Sequence, residues 1–158
     1  MKPLAADAPD FAISRFTPFR LSVLSNRMTR AVAQVYMKRY RLSAPEWRTM
    51  AVLGLLGAMT ANAVVEHTSM DKVRVSRTVT RLLRTGHITR RTDPLDRRRA
   101  ILELTAKGLG VYRQIAPRAL AVESEMLQDL TDSERSAFES AIGKLERRVA
   151  GIALDPQV

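Results

Sequence analysis

The sequence predicts a mainly α (α+β) fold in which a helix-turn-helix runs straight into a two-stranded β-hairpin, with long helices flanking both. Three observations predict it. Apolar residues recur at helical spacing over most of the chain. Ser43-x-x-Glu46 and Thr131-x-x-Glu134 have the form of capping boxes, the local signal of a helix start. Only one stretch, residues 87–104, changes to strand-like alternation, and it does so around the turn Asp93-Pro94-Leu95-Asp96. A length of 158 residues suits a single domain over 1–158, with a central core at about 44–104 between helices at about 14–40 and 105–150.

Taken in order, residues 1–13 mix Pro, Ala and Asp without period and are expected to fray. From Ser14 the pattern becomes helical: Phe16, Phe19 and Val23 recur at three and four. Leu21, Leu24, Met28, Val32, Val35 and Tyr36 extend the apolar surface to about Arg39. Ser43-Ala44-Pro45-Glu46 opens a second helix through Trp47, Met50, Val52, Leu53 and Leu56, which Gly57 ends. Thr60 caps a short third helix, Ala61 to His67; Asp71 caps a fourth, which runs to Thr85 and stops at Gly86.

Strands are expected at His87–Thr92 and Arg99–Leu104, where Ala100, Leu102 and Leu104 alternate with Ile101 and Glu103. Thr105 then caps a long helix through Leu109, Tyr112, Ile115, Leu120, Met126 and Leu127, which Pro117 should kink or divide. In the last helix Phe138, Ile142, Leu145 and Val149 form a seam suited to another helix.

Composition narrows the chemistry. The absence of cysteine excludes thiolate catalysis, disulfide switching and Cys-ligated metal centres. His67 and His87 are the only histidines and no acidic cluster accompanies them, so no metal or cofactor is expected; His67 reads as a helix-end residue. No P-loop, H-E-x-x-H or dinucleotide glycine pattern occurs, and Asp93 and Asp96 belong to a turn, so an enzyme is not expected. The longest apolar run, Met50 to Met59, falls short of the roughly 20 residues that cross a bilayer. No secretory segment opens the chain, and a cytoplasmic location with no membrane partner is expected.

The charge points to a polyanion. Lys and Arg number 26 against 16 acidic residues, a formal net charge of +10. Residues 70–99 hold ten basic and three acidic side chains, whereas 119–158 are net acidic. Within the fourth helix, Arg74, Arg77, Arg81 and Arg84 fall on one arc and Val75, Val79 and Leu82 on the opposite one. A helix of this layout packs by one side and offers guanidinium groups on the other, as occupation of a DNA major groove requires. Lys72, Arg74, Ser76 and Arg77, in the first two turns, are expected to reach bases. Arg81 and Arg84 would lie nearer the backbone, with a surface ion pair as the other reading of Arg84. At the hairpin tip Arg97, Arg98 and Arg99 can enter a minor groove, with Asp96 orienting one of them.

Order and residues together resemble the MarR-type winged helix-turn-helix regulators over roughly residues 14–150. Asp93-Pro94-Leu95-Asp96-Arg97-Arg98-Arg99-Ala100-Ile101-Leu102-Glu103-Leu104-Thr105-Ala106-Lys107-Gly108 is similar to the family's D-x-x-D-x-R wing followed by L-x-L-T-x-x-G. Val79 to Arg90 resembles the end of its recognition helix, although His87 stands where Leu or an aromatic is commoner.

The resemblance implies that Arg98 enters a minor groove, held by Asp96, and that the terminal helices dimerise. It also implies a transcriptional regulator, a ligand-responsive repressor, binding a pseudo-palindromic double-stranded DNA operator as a homodimer. Physics agrees on the dimer, since the first helix and the Phe138–Val149 seam would otherwise expose a large apolar patch. A small aromatic or anionic effector would find Phe16, Phe19, Arg20, Tyr36, Trp47, Arg48 and Tyr112 near the junction of dimer helices and winged helix. The alternative is a non-sequence-specific architectural DNA-binding protein. It would bind operator and random duplex almost equally, where a regulator prefers its site about 1000-fold.

Overall fold

The computed structural model describes residues 12–93, 96 and 99–152. Its elements are α1 (Thr17–Tyr40), α2 (Ala44–Leu56), β1 (Met59–Thr60), α3 (Ala61–Thr68), α4 (Lys72–Arg84), β2 (Ile88–Thr92), β3 (Ala100–Leu104), α5 (Ala106–Met126) and α6 (Asp132–Ala150). The chain divides at Val122/Glu123, inside α5, into two compact units.

Local chemistry sets the helix boundaries of the first unit. At α2, Glu46 Oε2 accepts from the Ser43 backbone N–H at 2.7 Å, so a helix start that would leave donors orphaned is closed by its own side chain. Thr60 Oγ1 accepts from Ala63 N–H at 3.2 Å to start α3, and Asp71 Oδ1 from Arg74 N–H at 2.7 Å to start α4. Between α3 and α4 the chain reverses at Ser69, whose φ is 51°. Thr68 steadies the reversal: its hydroxyl donates to the Val64 carbonyl at 2.6 Å and accepts from Met70 N–H at 3.4 Å. Met70 is thereby turned into the core beside Val64 and Val75.

The sheet corrects the sequence reading in one respect. A two-stranded hairpin was expected, but β1 adds a third strand, in the order β1-β3-β2. All pairings are antiparallel, with Met59 opposite Leu102 and Ile88 opposite Leu104. Two residues between a turn and a helix cap carry no periodicity, so β1 exists only through its partner in β3. The core beneath the sheet joins α1 (Ala33, Tyr36), α2 (Met50, Leu53), α3 (Val64), α4 (Val75, Leu82), β2 (Ile88), β3 (Leu102) and α5 (Ile115).

Of the two effects expected of Pro117, division of the helix does not occur: the residue lies inside α5. Its ring removes a bond to the Arg113 carbonyl, but both residues are on an exposed side of the helix, where water can satisfy that group.

In the smaller unit, Thr131 and Glu134 form the expected capping box of α6: Glu134 Oε2 accepts from Thr131 N–H at 2.9 Å. Those hydrogen bonds hold the Glu134 carboxyl below its ordinary pKa. Arg135 reaches back to the Leu127 carbonyl at 3.1 Å. Among the described residues no helix is long and apolar enough to cross a membrane.

Candidate nucleic-acid interface

The division of α4 into two faces is complete in the structure. Val75, Thr78 and Leu82 are buried, with Val79 and Leu83 half-buried, while Lys72, Arg74, Ser76, Arg77, Thr80, Arg81 and Arg84 are exposed on the other side. Val73 is also exposed, at 61%, amid the cations of the first turn. Sequence reasoning passed over it because it groups with the apolar residues by composition and with the basic ones by position.

These cations differ in their attachments. Arg74 Nε lies 3.6 Å from Asp71 Oδ2, both side chains 62% exposed, so the pair is loose and screened by solvent. Arg81 Nε lies 2.7 Å from Glu46 Oε1, and that carboxylate is only 3% exposed. Reading Glu46 as a capping residue alone missed this second role. The pair forms part of the wall of a cavity of about 280 Å³ lined also by Met37, Arg41, Leu42 and Ser43.

The hairpin is closed by backbone bonds from Asp93 N–H to the Arg99 carbonyl at 2.9 Å and from Arg99 N–H to the Asp96 carbonyl at 2.8 Å. Arg99 Nε lies 3.2 Å from Asp96 Oδ2, so Asp96 does orient an arginine. Arg97 and Arg98, singled out for the minor groove, lie outside the described residues. Along the strands Arg91 Nε faces Glu103 Oε2 at 3.4 Å, and Arg90 is exposed.

Where α4 ends, α5 is fastened to it. Gly86, at φ 69°, makes the sharp exit from the helix into β2, a left-handed conformation that suits glycine. Thr105 Oγ1 donates to the Gly86 carbonyl at 2.7 Å, Thr105 N–H to the His87 carbonyl at 3.1 Å, and Lys107 Nζ to the Thr85 carbonyl at 2.7 Å. Gly108 sits against the same peptide, where a Cβ would stand 1.9 Å from the His87 carbonyl oxygen. His87 itself is buried, with Nδ1 2.8 Å from the Thr85 hydroxyl. Desolvation and, secondarily, the Lys107 charge push its imidazole below the ordinary pKa, against the pull of Glu46, so it is neutral near pH 7.

Of the seven residues expected around an effector, the structure brings three together. Tyr36 stacks on Trp47 with centroids 5.7 Å apart, and Trp47 on Tyr112 at 6.0 Å. Tyr36 is 1% exposed, and burial raises its phenol pKa while the Arg48 charge opposes the rise. Arg48 is exposed, as are Phe16, Phe19 and Arg20 around the start of α1. Among the described residues no group of three or more His, Cys, Asp or Glu is arranged to hold a metal ion.

Comparison with known proteins agrees with this geometry. A model of the MarR family matches residues 42–99, from the start of α2 to the hairpin. An uncharacterized HTH-type transcriptional regulator of Bacillus subtilis, YwoH, is 27% identical over 114 residues, covering 72% of this chain and 82% of that one. Two solved structures share the fold. Bordetella bronchiseptica BpsR, whose DNA binding is regulated by 6-hydroxynicotinic acid, aligns with a TM-score of 0.75 and 23% identity over 92% of this chain and 100% of its own. A mutant of Escherichia coli MarR complexed with operator DNA aligns with a TM-score of 0.75 and 19% identity over 87% of this chain and 99% of its own.

Proposed function

We propose that the chain, whose residues 42–99 match a model of the MarR family and whose fold is the winged helix-turn-helix of solved MarR-family structures, is a transcriptional regulator of that family, a ligand-responsive repressor binding a pseudo-palindromic operator as a homodimer. One observation carries the reading: the cationic side chains of α4 are exposed from Lys72 to Arg84, opposite buried Val75, Thr78 and Leu82. On this reading Lys72, Arg74, Ser76 and Arg77 address base edges and nearby phosphates in the major groove, where arginine pairs with guanine O6 and N7. Exposed Val73 suits a thymine methyl. Arg97, Arg98 and Arg99 serve the minor groove, whose potential attracts arginine. Half-sites one helical turn apart, roughly 10 base pairs, then match the two-fold axis.

The dimer is supported by apolar surface on each unit by itself. Phe16, Phe19, Leu21 and Leu24 are exposed at the start of α1, and Ile142, Leu145 and Val149 along α6. A lone subunit rarely tolerates that much apolar surface in water. We assign the helices at about 14–40 and 105–150 to dimerisation and about 44–104 to DNA binding within one domain over 1–158. The protein works in the cytoplasm, where its duplex is. The BpsR likeness supports a small aromatic or anionic effector, for which the half-buried Trp47 and Tyr112 and the exposed Arg48 offer ring edges and a cation over buried Tyr36.

The deciding measurement compares a duplex selected by the protein from a randomised pool with random-sequence duplex. A preference of about 1000-fold is expected, falling steeply in absolute affinity as salt rises; near-equal binding would favour the architectural alternative. Arg98→Ala should weaken binding to the selected duplex about tenfold or more while leaving the dimer intact, and an unchanged gel-shift titration counts against that role. Leu145→Asp should yield monomer in light scattering, because a carboxylate would enter the apolar seam; a persisting dimer refutes that placement.

A further inference from the structure

We propose that Glu46 is a positioning residue for the reading helix: it pins Arg81 to the start of α2 and keeps that cation off DNA phosphates, confining contact to the earlier turns of α4. The inference rests on the duplex-binding reading above.

The argument starts from how the two carboxylate oxygens are divided. Oε2 accepts from the Ser43 backbone N–H at 2.7 Å and from the Ser43 hydroxyl at 2.6 Å, which fixes the side chain to its own helix start. Oε1 is left to face Arg81 Nε at 2.7 Å. A carboxylate this buried has lost its water, so separating it from Arg81 would strand a charge in a poor solvent. The exposed Arg74–Asp71 pair is the contrast: both partners keep their water, and a phosphate can replace Asp71 at little cost.

Counterion release counts only the cations that neutralise phosphates. Arg81 is already neutralised from below and anchored through Nε, so it adds nothing to the salt dependence although its side chain is 54% exposed. The anchor also ties the third turn of α4 to α2 independently of the apolar packing, which fixes how the Lys72–Arg77 end is presented.

The test is a fluorescence-anisotropy titration against KCl, using the pool-selected duplex and a random-sequence duplex. Arg77→Ala serves as the reference and should flatten the slope of log affinity on log salt by about one per protomer. Arg81→Met should leave the slope at the wild-type value. Glu46→Gln keeps an acceptor for Ser43 but removes the charge that holds Arg81. It should steepen the slope by about one per protomer and raise affinity for random duplex several-fold, so that discrimination falls. Loss of a merely structural contact would weaken both duplexes without steepening either.

The double variant Glu46→Gln/Arg81→Met leaves no unpaired buried charge and should return to the wild-type slope. It decides the matter if Arg81→Met alone does not fold. Flattening by Arg81→Met or by the double variant to the extent seen for Arg77→Ala, or an unchanged slope in Glu46→Gln, overturns the inference and leaves duplex binding standing. A wild-type protein that binds neither duplex overturns both.

Discussion

Replacing Gly108 with alanine is expected to destabilise the protein more than any single change on its cationic face, by about 3–5 kcal/mol. The added carbon would stand 1.9 Å from the His87 carbonyl oxygen and 2.9 Å from the carbonyl carbon, both main-chain atoms that cannot rotate away. Relief requires the first turn of α5 to lift. That strains the bonds from Thr105 Oγ1 to the Gly86 carbonyl at 2.7 Å and from Lys107 Nζ to the Thr85 carbonyl at 2.7 Å, along with the internal Gly108 N–H to Thr105 Oγ1 bond at 3.0 Å. In a chain of this size the loss corresponds to a fall of about 10 °C or more in the thermal midpoint. A midpoint within about 2 °C of wild type at equal protein concentration would show that the junction yields.

The second large effect is expected from Leu82→Ala. Leu82 is fully buried, at 0% exposure, on the core side of α4, among Met50, Leu53 and Val75 in the same cluster. Truncation removes the buried methyl groups and leaves a cavity, at a cost of about 3 kcal/mol. The denaturant midpoint should fall with the slope of the transition unchanged, because as much surface is exposed on unfolding as before. Duplex binding should suffer only as far as the native fraction does, which separates this variant from Arg77→Ala, where stability holds and affinity drops. A midpoint at the wild-type value would contradict the placement of Leu82 in the core.

What the sequence revealed of the fold was what local chemistry determines. Ser43, Thr60, Asp71 and Thr131 each announce a helix within three or four residues, because a cap and its amide are neighbours in the chain. The opposed faces of α4 were legible for the same reason, since helical periodicity is a property of one segment. Strand β1 was not, as its strand partner, β3, is distant in sequence. Nor was the second task of Glu46, which needs α4 laid across the start of α2 before Arg81 comes within reach.

Gly108 shows a third case. The L-T-x-x-G spacing after the hairpin was visible as a pattern, but the reason for its glycine, the His87 peptide from the turn between α4 and β2 pressed against it, appears only in three dimensions.

The fastening of α5 to the end of α4 carries a mechanical consequence. A hydroxyl, an ammonium group and a missing methyl grip three consecutive peptides, Thr85 to His87, so the root of the long helix and the tail of the reading helix turn as one crank. On the duplex-binding reading proposed above, displacing the first turn of α5 would carry the cationic face of α4 with it while every side chain on that face stays intact.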